Sequence, residues 1–421
     1  MEMQTNMRAT IAQLSQGEVP ESEQLLNQLS VGIQFLTDFY QEKYLDEFIK
    51  AGGSKIKFIT GRKGSGKTHT LHLLQSLAKQ RKYVTVSISA KTLWLHDFRE
   101  FYLEVLRQAN IMDLLNHCSD KIVHAMGFES QDIGTGRTFI DFLAQQGLAD
   151  GITRREMRNQ LKEMFLDNPK MDNNFSLACS LLCGSLLGHP VLEETNKELL
   201  LAWMHGDKKI RMTLLRPLGL APTRITKYNA RNLLRSLAEL VHLSGYAGLL
   251  VTVDNLEILV DKSGMNPLHY TKMKREDTYE SIRQLIDDID TFNHFMVVYA
   301  FSGELLDNEN AGLKSYQALW MRIQNEVRSK RVNKFNDIAD LDAIALQEYS
   351  PALLVEMSQR LADLVQHINV QASPLGVETA QHLIMQAKMG GVSLPRLVNQ
   401  ATLGFLAQQD DAEEEEHELG L

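Results

Sequence analysis

Hydrophobic spacing predicts a short helix and a polar loop over 8–30, broken at Glu18-Val-Pro-Glu-Ser22, and then a helix over roughly 33–50. The period then shortens. Lys55–Thr60 alternates, is rich in β-formers and stops at a glycine; Tyr83–Ser89 is a second such run, and a helical segment, 67–80, lies between them. Strand, helix, strand is the unit of a parallel sheet covered by helices. From about 112 to 220 the chain turns to successive helical segments, among them Arg155–Phe165, Phe175–Leu187 and Glu194–Met204. This stretch reads as a helical insertion, with a separate domain as the alternative.

After a helix over Asn229–Leu243 comes Gly248–Val253, whose unbroken hydrophobicity suits a central parallel strand. A helix over Asp277–Asp290 and a strand over Phe295–Phe301 follow, and Asp342–Leu346 is expected to be the last strand. Residues 350–407 show only helical periodicity, punctuated by Pro374 and Gly390-Gly391. The expected organisation is an N-terminal arm (1–30), an α/β core (31–347) carrying the helical insertion at about 112–220, a helical lid (348–407) and a disordered acidic tail (408–421).

Composition changes this picture little. With 421 residues, 44% hydrophobic and 23% charged, the chain is globular and longer than one core usually organises. Its net charge of −9 weighs against nucleic acid until the tail is set apart, because residues 408–421 hold seven acids and no Lys or Arg, leaving −2 elsewhere. A local basic patch therefore stays open. Lys208-Lys209-Ile210-Arg211 and Arg328-Ser329-Lys330-Arg331 are short and lack interleaved aromatics, so they read as solvated faces. Cys118, Cys179 and Cys183 cannot form a disulfide framework and suit a helical face better than a metal site. The start Met1-Glu2-Met3-Gln4 has neither a basic leader nor an apolar stretch, and no run approaches the roughly 20 apolar residues of a membrane span. A cytoplasmic protein is expected.

The first strand runs into Gly61-Arg62-Lys63-Gly64-Ser65-Gly66-Lys67-Thr68, which fits the Walker A pattern G-x-x-x-x-G-K-[ST] and opens a helix that continues with His69. In such a loop the glycines let backbone N–H groups curl around phosphates, and the helix N-terminus adds favourable partial charge. Gly61, Lys63, Gly64, Ser65, Gly66, Lys67, Thr68 and His69 are thus expected around bound ATP, with Lys67 on the β and γ phosphates and Thr68 on Mg²⁺. Asp254, closing the apolar strand, is the acidic partner that such a metal ion needs. Asn255 follows, where a water-activating glutamate is usual; an amide orients water but takes no proton. Glu257 faces the same side as Asn255 if the strand continues, and is a candidate substitute. Ser302, at the end of a strand, and Glu304 beyond it are expected near the γ-phosphate or its attacking water. Arg322, Arg328 or Arg331 is a candidate arginine finger, and Arg396, opening a helix in the lid, is placed to fold down on the nucleotide.

This order of elements resembles the AAA+ ATPases, especially the origin-recognition/Cdc6-like branch. The runs Gly53–Thr68, Gly245–Asp254 and Lys314–Arg322 resemble, more closely, the ATP-binding-domain proteins of BREX (bacteriophage exclusion) defence systems. The resemblance is diffuse over about 30–407 and sharp in those three blocks. It implies a bacterial antiviral-defence ATPase, often encoded beside a helicase, and supports Lys67, Thr68, Asp254, Arg322 and Arg396 in the roles above. Asn255 departs from the pattern, which implies slow turnover. Two functions compete: a homo-oligomeric ATPase whose nucleotide state controls a partner helicase or DNA engagement, and a nucleotide-gated adaptor with little or no hydrolysis. A small-molecule P-loop kinase is a third, disfavoured by the lid arginine.

Overall fold

The computed structural model describes residues 29–134, 136–324, 332–366 and 372–404. The 8–30 helix and loop lie outside them except for Leu29 and Ser30, as do Arg328, Arg331 and the acidic tail.

Five parallel strands form one sheet in the order β2-β3-β4-β1-β5: β1 (Ser54–Gly61), β2 (Tyr83–Ser89), β3 (Gly248–Asp254), β4 (Phe295–Ser302) and β5 (Ile338–Asp340). The chain is thus an α/β protein, with helices on both faces. The strands are apolar on both sides because both sides are covered. In β4, Phe295, Val297, Tyr299 and Phe301 join one buried cluster, whereas Met296, Val298 and Ala300 join the other. The second cluster seats the helix Lys67–Gln80 through Leu71, Leu74 and Ala78, and beneath it the helical stretch from Gln34 to Ile49.

On the opposite face the core runs without a break into the helices between β2 and β3. Phe98–Ala109, Ile111–Ala125, Asn173–Leu187 and Ala230–Leu243 contribute to the same cluster as Ile56 and Val251. Capping explains where several of these helices begin. Asp172 accepts from Asn174 N and Phe175 N, and Thr138 with Asp141 forms a reciprocal capping box ahead of Phe139–Gln145. Cys118, Cys179 and Cys183 are all buried in this helical core, where burial raises each thiol pKa.

One expected element is corrected. Asp342–Leu346 is not a strand: the last strand is Ile338–Asp340, and Leu341–Glu348 is a helix. Asp340 caps it, accepting from Asp342 N at 2.9 Å and Ala343 N at 3.3 Å. Leu341 and Ile344 then reach the sheet cluster while Ala345 joins the cluster of the C-terminal helices Pro351–Gln366, Val377–Met389 and 394–404. A five-residue apolar run satisfies either period, and the cap decides.

Lys57 is the one polar side chain of β1 with no exposure at all. Its Nζ donates to Phe335 O at 2.7 Å, Asn336 O at 2.9 Å and Asp337 Oδ1 at 3.2 Å, tying the approach to β5 against β1. Among the described residues no helix is long and apolar enough to cross a membrane.

Candidate functional site

The carboxyl ends of β1, β3 and β4 converge around the loop from Gly61 to Gly66. Gly64 and Gly66 take φ of +84° and +91°, a left-handed conformation that side chains resist. At Gly64 a Cβ would also stand 2.7 Å from Cβ of Arg396, and at Gly61 it would collide with Ser65 Oγ. The loop is held from outside by two distant segments. Arg62 N donates to Asp342 Oδ2 at 2.6 Å, and Ser393 Oγ donates to Lys63 O at 3.3 Å.

Lys67 Nζ donates to Gly61 O and Arg62 O, both at 2.9 Å, so its ammonium lies inside the loop. Burial lowers its pKa, opposed by the carboxylates of Glu257, Asp254, Asp342 and Glu304. Thr68 Oγ1 donates to Asp254 Oδ2 at 2.5 Å, and the other carboxylate oxygen accepts from Asn255 N at 2.7 Å. Residues 186 positions apart, singled out separately as metal ligands, therefore touch.

Two hydroxyls of this region, Ser65 Oγ and Ser302 Oγ, are buried and make no hydrogen bond. Such a group costs about 1–3 kcal/mol when left unpaired, and both lie where β1 and β4 pair Gly61 with Ser302. Unpaired hydroxyls, left-handed glycines, a buried ammonium and a hydroxyl–carboxylate pair together suit a polyphosphate with a hard divalent cation.

The geometry beyond Asp254 differs from the expected one. The strand does not continue: Asn255 is left-handed (φ +61°), and Leu256–Val260 is a short 3-10 turn. The alternation that would have put Glu257 on the same side as Asn255 does not apply. Asn255 Oδ1 instead accepts from Ser89 Oγ at 3.1 Å, toward β2, whereas Glu257 Oε2 accepts from Ser302 N at 3.1 Å, toward β4. This turn carries Glu257 toward β4 and Lys67, on which its charge acts more strongly than that of any other carboxylate.

A family model described as BREX system ATP-binding protein BrxC/D matches residues 3–396. The chain belongs to that family. Family membership suggests ATP use and a role in anti-phage defence. No curated protein and no solved structure matches it.

Two other expected residues have partners elsewhere, and a third lies against the loop. His69 shares a hydrogen bond of 2.7 Å with Ser30 Oγ, and burial together with His72 lowers its pKa to about 4. Arg322 is held within its own chain: Nε lies 2.5 Å from Asp287 Oδ1 and Nη2 3.0 Å from Oδ2, while Nη1 donates to Ala318 O at 2.6 Å. Arg396 does lie against the loop, its aliphatic stem over Gly64. Sequence reasoning missed Asp342, Ser393 and Ser89. Asp340-x-Asp342 ahead of an apolar run is a helix-start signal that pointed to the first; nothing in the sequence marks the other two.

Proposed function

We propose that this chain is a P-loop, AAA+-like ATP switch of a BREX defence system, acting in the cytoplasm, that assembles with copies of itself and controls a partner helicase or the engagement of DNA. The Thr68–Asp254 hydrogen bond carries the reading, because it joins a phosphate-loop hydroxyl to the acid at the end of the apolar strand. The strand order supports it too: β4, bearing Ser302, lies between β1 and β3.

Thr68 and Asp254 would hold Mg²⁺, which when bound would neutralise phosphate charge. Loop N–H groups and Lys67 bind the phosphates, and Ser65 and Ser302 offer them free hydroxyls. Glu257 is the group able to take a proton from an attacking water, and its bond to Ser302 N orients it. Arg396 covers the loop from the C-terminal helices. Arg322 becomes a finger for a neighbouring subunit only by leaving Asp287.

The adaptor reading draws on one observation, the turn of Asn255 toward Ser89. Steady-state phosphate release from wild type, Glu257→Gln, Asn255→Glu and Arg322→Ala separates the two. The switch ATPase predicts slow turnover in wild type, at least tenfold lower in Glu257→Gln and Arg322→Ala. No turnover in wild type, with turnover gained in Asn255→Glu, establishes the adaptor. Lys67→Ala should abolish ATP binding in either case, and retained binding there sinks both.

A further inference from the structure

The helices between β2 and β3 carry a surface that the nucleotide site does not use. In sequence, Lys208, Lys209 and Arg211 form a short basic run; in the fold they meet a second one. Residues 205–228 contain six Lys or Arg and a single acid, Asp207, within a chain of net charge −9. All six basic side chains are exposed. Between the two runs lies a cleft of about 470 Å³, lined by Lys208, Arg224 and Lys227 together with Asp97, Asp207 and the edge of Trp203. Its two acids are engaged by backbone: Asp97 accepts from Arg99 N and Asp207 from Lys209 N. Arg224 donates to Lys208 O and Ile210 O, which fixes one basic run against the other.

An exposed aromatic ring stands beside this cleft, next in sequence to the lining residue Lys227. Tyr228 is 79% exposed, with Lys227 Nζ 5.5 Å from its ring centre. Cations that track a phosphate backbone, alternating with rings on which bases stack, suit single strands, whose bases are free to leave each other. A duplex offers its phosphates but hides its base faces.

We propose that the cleft between 205–216 and 224–228, extended over Tyr228, is a docking surface for single-stranded nucleic acid. It lies one loop from the nucleotide site: residues 90–97 connect it to Ser89, the partner of Asn255. The proposal names the class of partner for the DNA engagement suggested above and rests on that reading only for its coupling to ATP. Binding itself needs no nucleotide to be measured, so its failure leaves the phosphate site standing.

Fluorescence anisotropy of a labelled short oligothymidylate with the full chain, across a salt series, tests it. Wild type should bind with a steep salt dependence. Lys208→Glu/Lys227→Glu should weaken binding at least tenfold and flatten the log–log salt slope by about 1.4 or more. Tyr228→Ala should weaken it roughly fivefold or more with the slope unchanged. Arg154→Glu/Arg155→Glu, the same charge change on another exposed face, should bind as wild type does. Absence of oligonucleotide binding, an equal loss in that control, duplex bound as tightly with Tyr228→Ala silent, or displacement by polyglutamate at equal charge concentration would each overturn the proposal, the last in favour of an acidic protein partner.

Discussion

Both oxygens of the Asp254 carboxylate are engaged in this conformation, one by Thr68 Oγ1 and the other by Asn255 N. Lys67 is likewise turned onto the carbonyls of its own loop. A buried charge without partners costs several kcal/mol, and each of these charges has them. The identities of these residues were legible from spacing alone, because a glycine loop between a strand and a helix has few other uses. Their partners were not. His69 shows the limit: its place after Lys67-Thr68 suggested the nucleotide, yet its ring serves Ser30. Burial lowers its pKa to about 4, so the folded state keeps the ring neutral while the unfolded chain protonates it near 6.5. The unfolded state therefore binds more protons between those values, and stability is complete above 6.5 and falls as pH drops toward 4. From pH 7 to pH 5, wild type should lose about 2 kcal/mol more than His69→Gln in urea unfolding. Equal losses would show that His69 is solvated.

The helix Leu341–Glu348 is the element on which the loop depends and the one whose secondary structure sequence reasoning mistook. Its start sets two carboxylates to different tasks: Asp340 caps the helix, and Asp342 reaches Arg62 N. Their substitutions should separate. Asp340→Ala removes a cap and should cost about 1 kcal/mol in stability. Asp342→Ala leaves the loop amide without its acceptor, and calorimetric titration should find ATP bound roughly ten- to hundredfold more weakly. If Asp342→Ala bound ATP normally, the loop would be positioned by its glycines alone. The strands were easier to read, since β3 and β4 are apolar on both faces and lie mid-sheet. Glu257 fell between these cases. Its proximity to the site was anticipated, but by a strand alternation that ends at Asp254.

Across the whole molecule, the glycine-rich loop 61–66 is a meeting point of segments far apart in sequence. Val392 O accepts from the Arg62 guanidinium at 3.4 Å, Ser393 bonds to Lys63 O, and Arg396 lies over Gly64. Nucleotide bound in the loop should therefore be felt by the C-terminal helices. Hydrogen exchange with ATP and Mg²⁺ should show added protection at 390–398 as well as at 61–70, and Lys67→Ala should remove both. Protection confined to the loop would mean that these helices do not respond to nucleotide. The sequence by itself determined the glycine-rich loop between strand and helix, the apolar acid-bearing strand, the helical character of 112–220 and the α/β class, because each follows from local periodicity or fixed spacing. Only the tertiary structure decided which way Asn255 and Glu257 turn, that Asp342 and Ser393 anchor the loop, that Arg322 pairs with Asp287, and that two modest basic runs share one cleft. Those outcomes depend on strand order and on where helices end, which long-range packing fixes and no local pattern encodes.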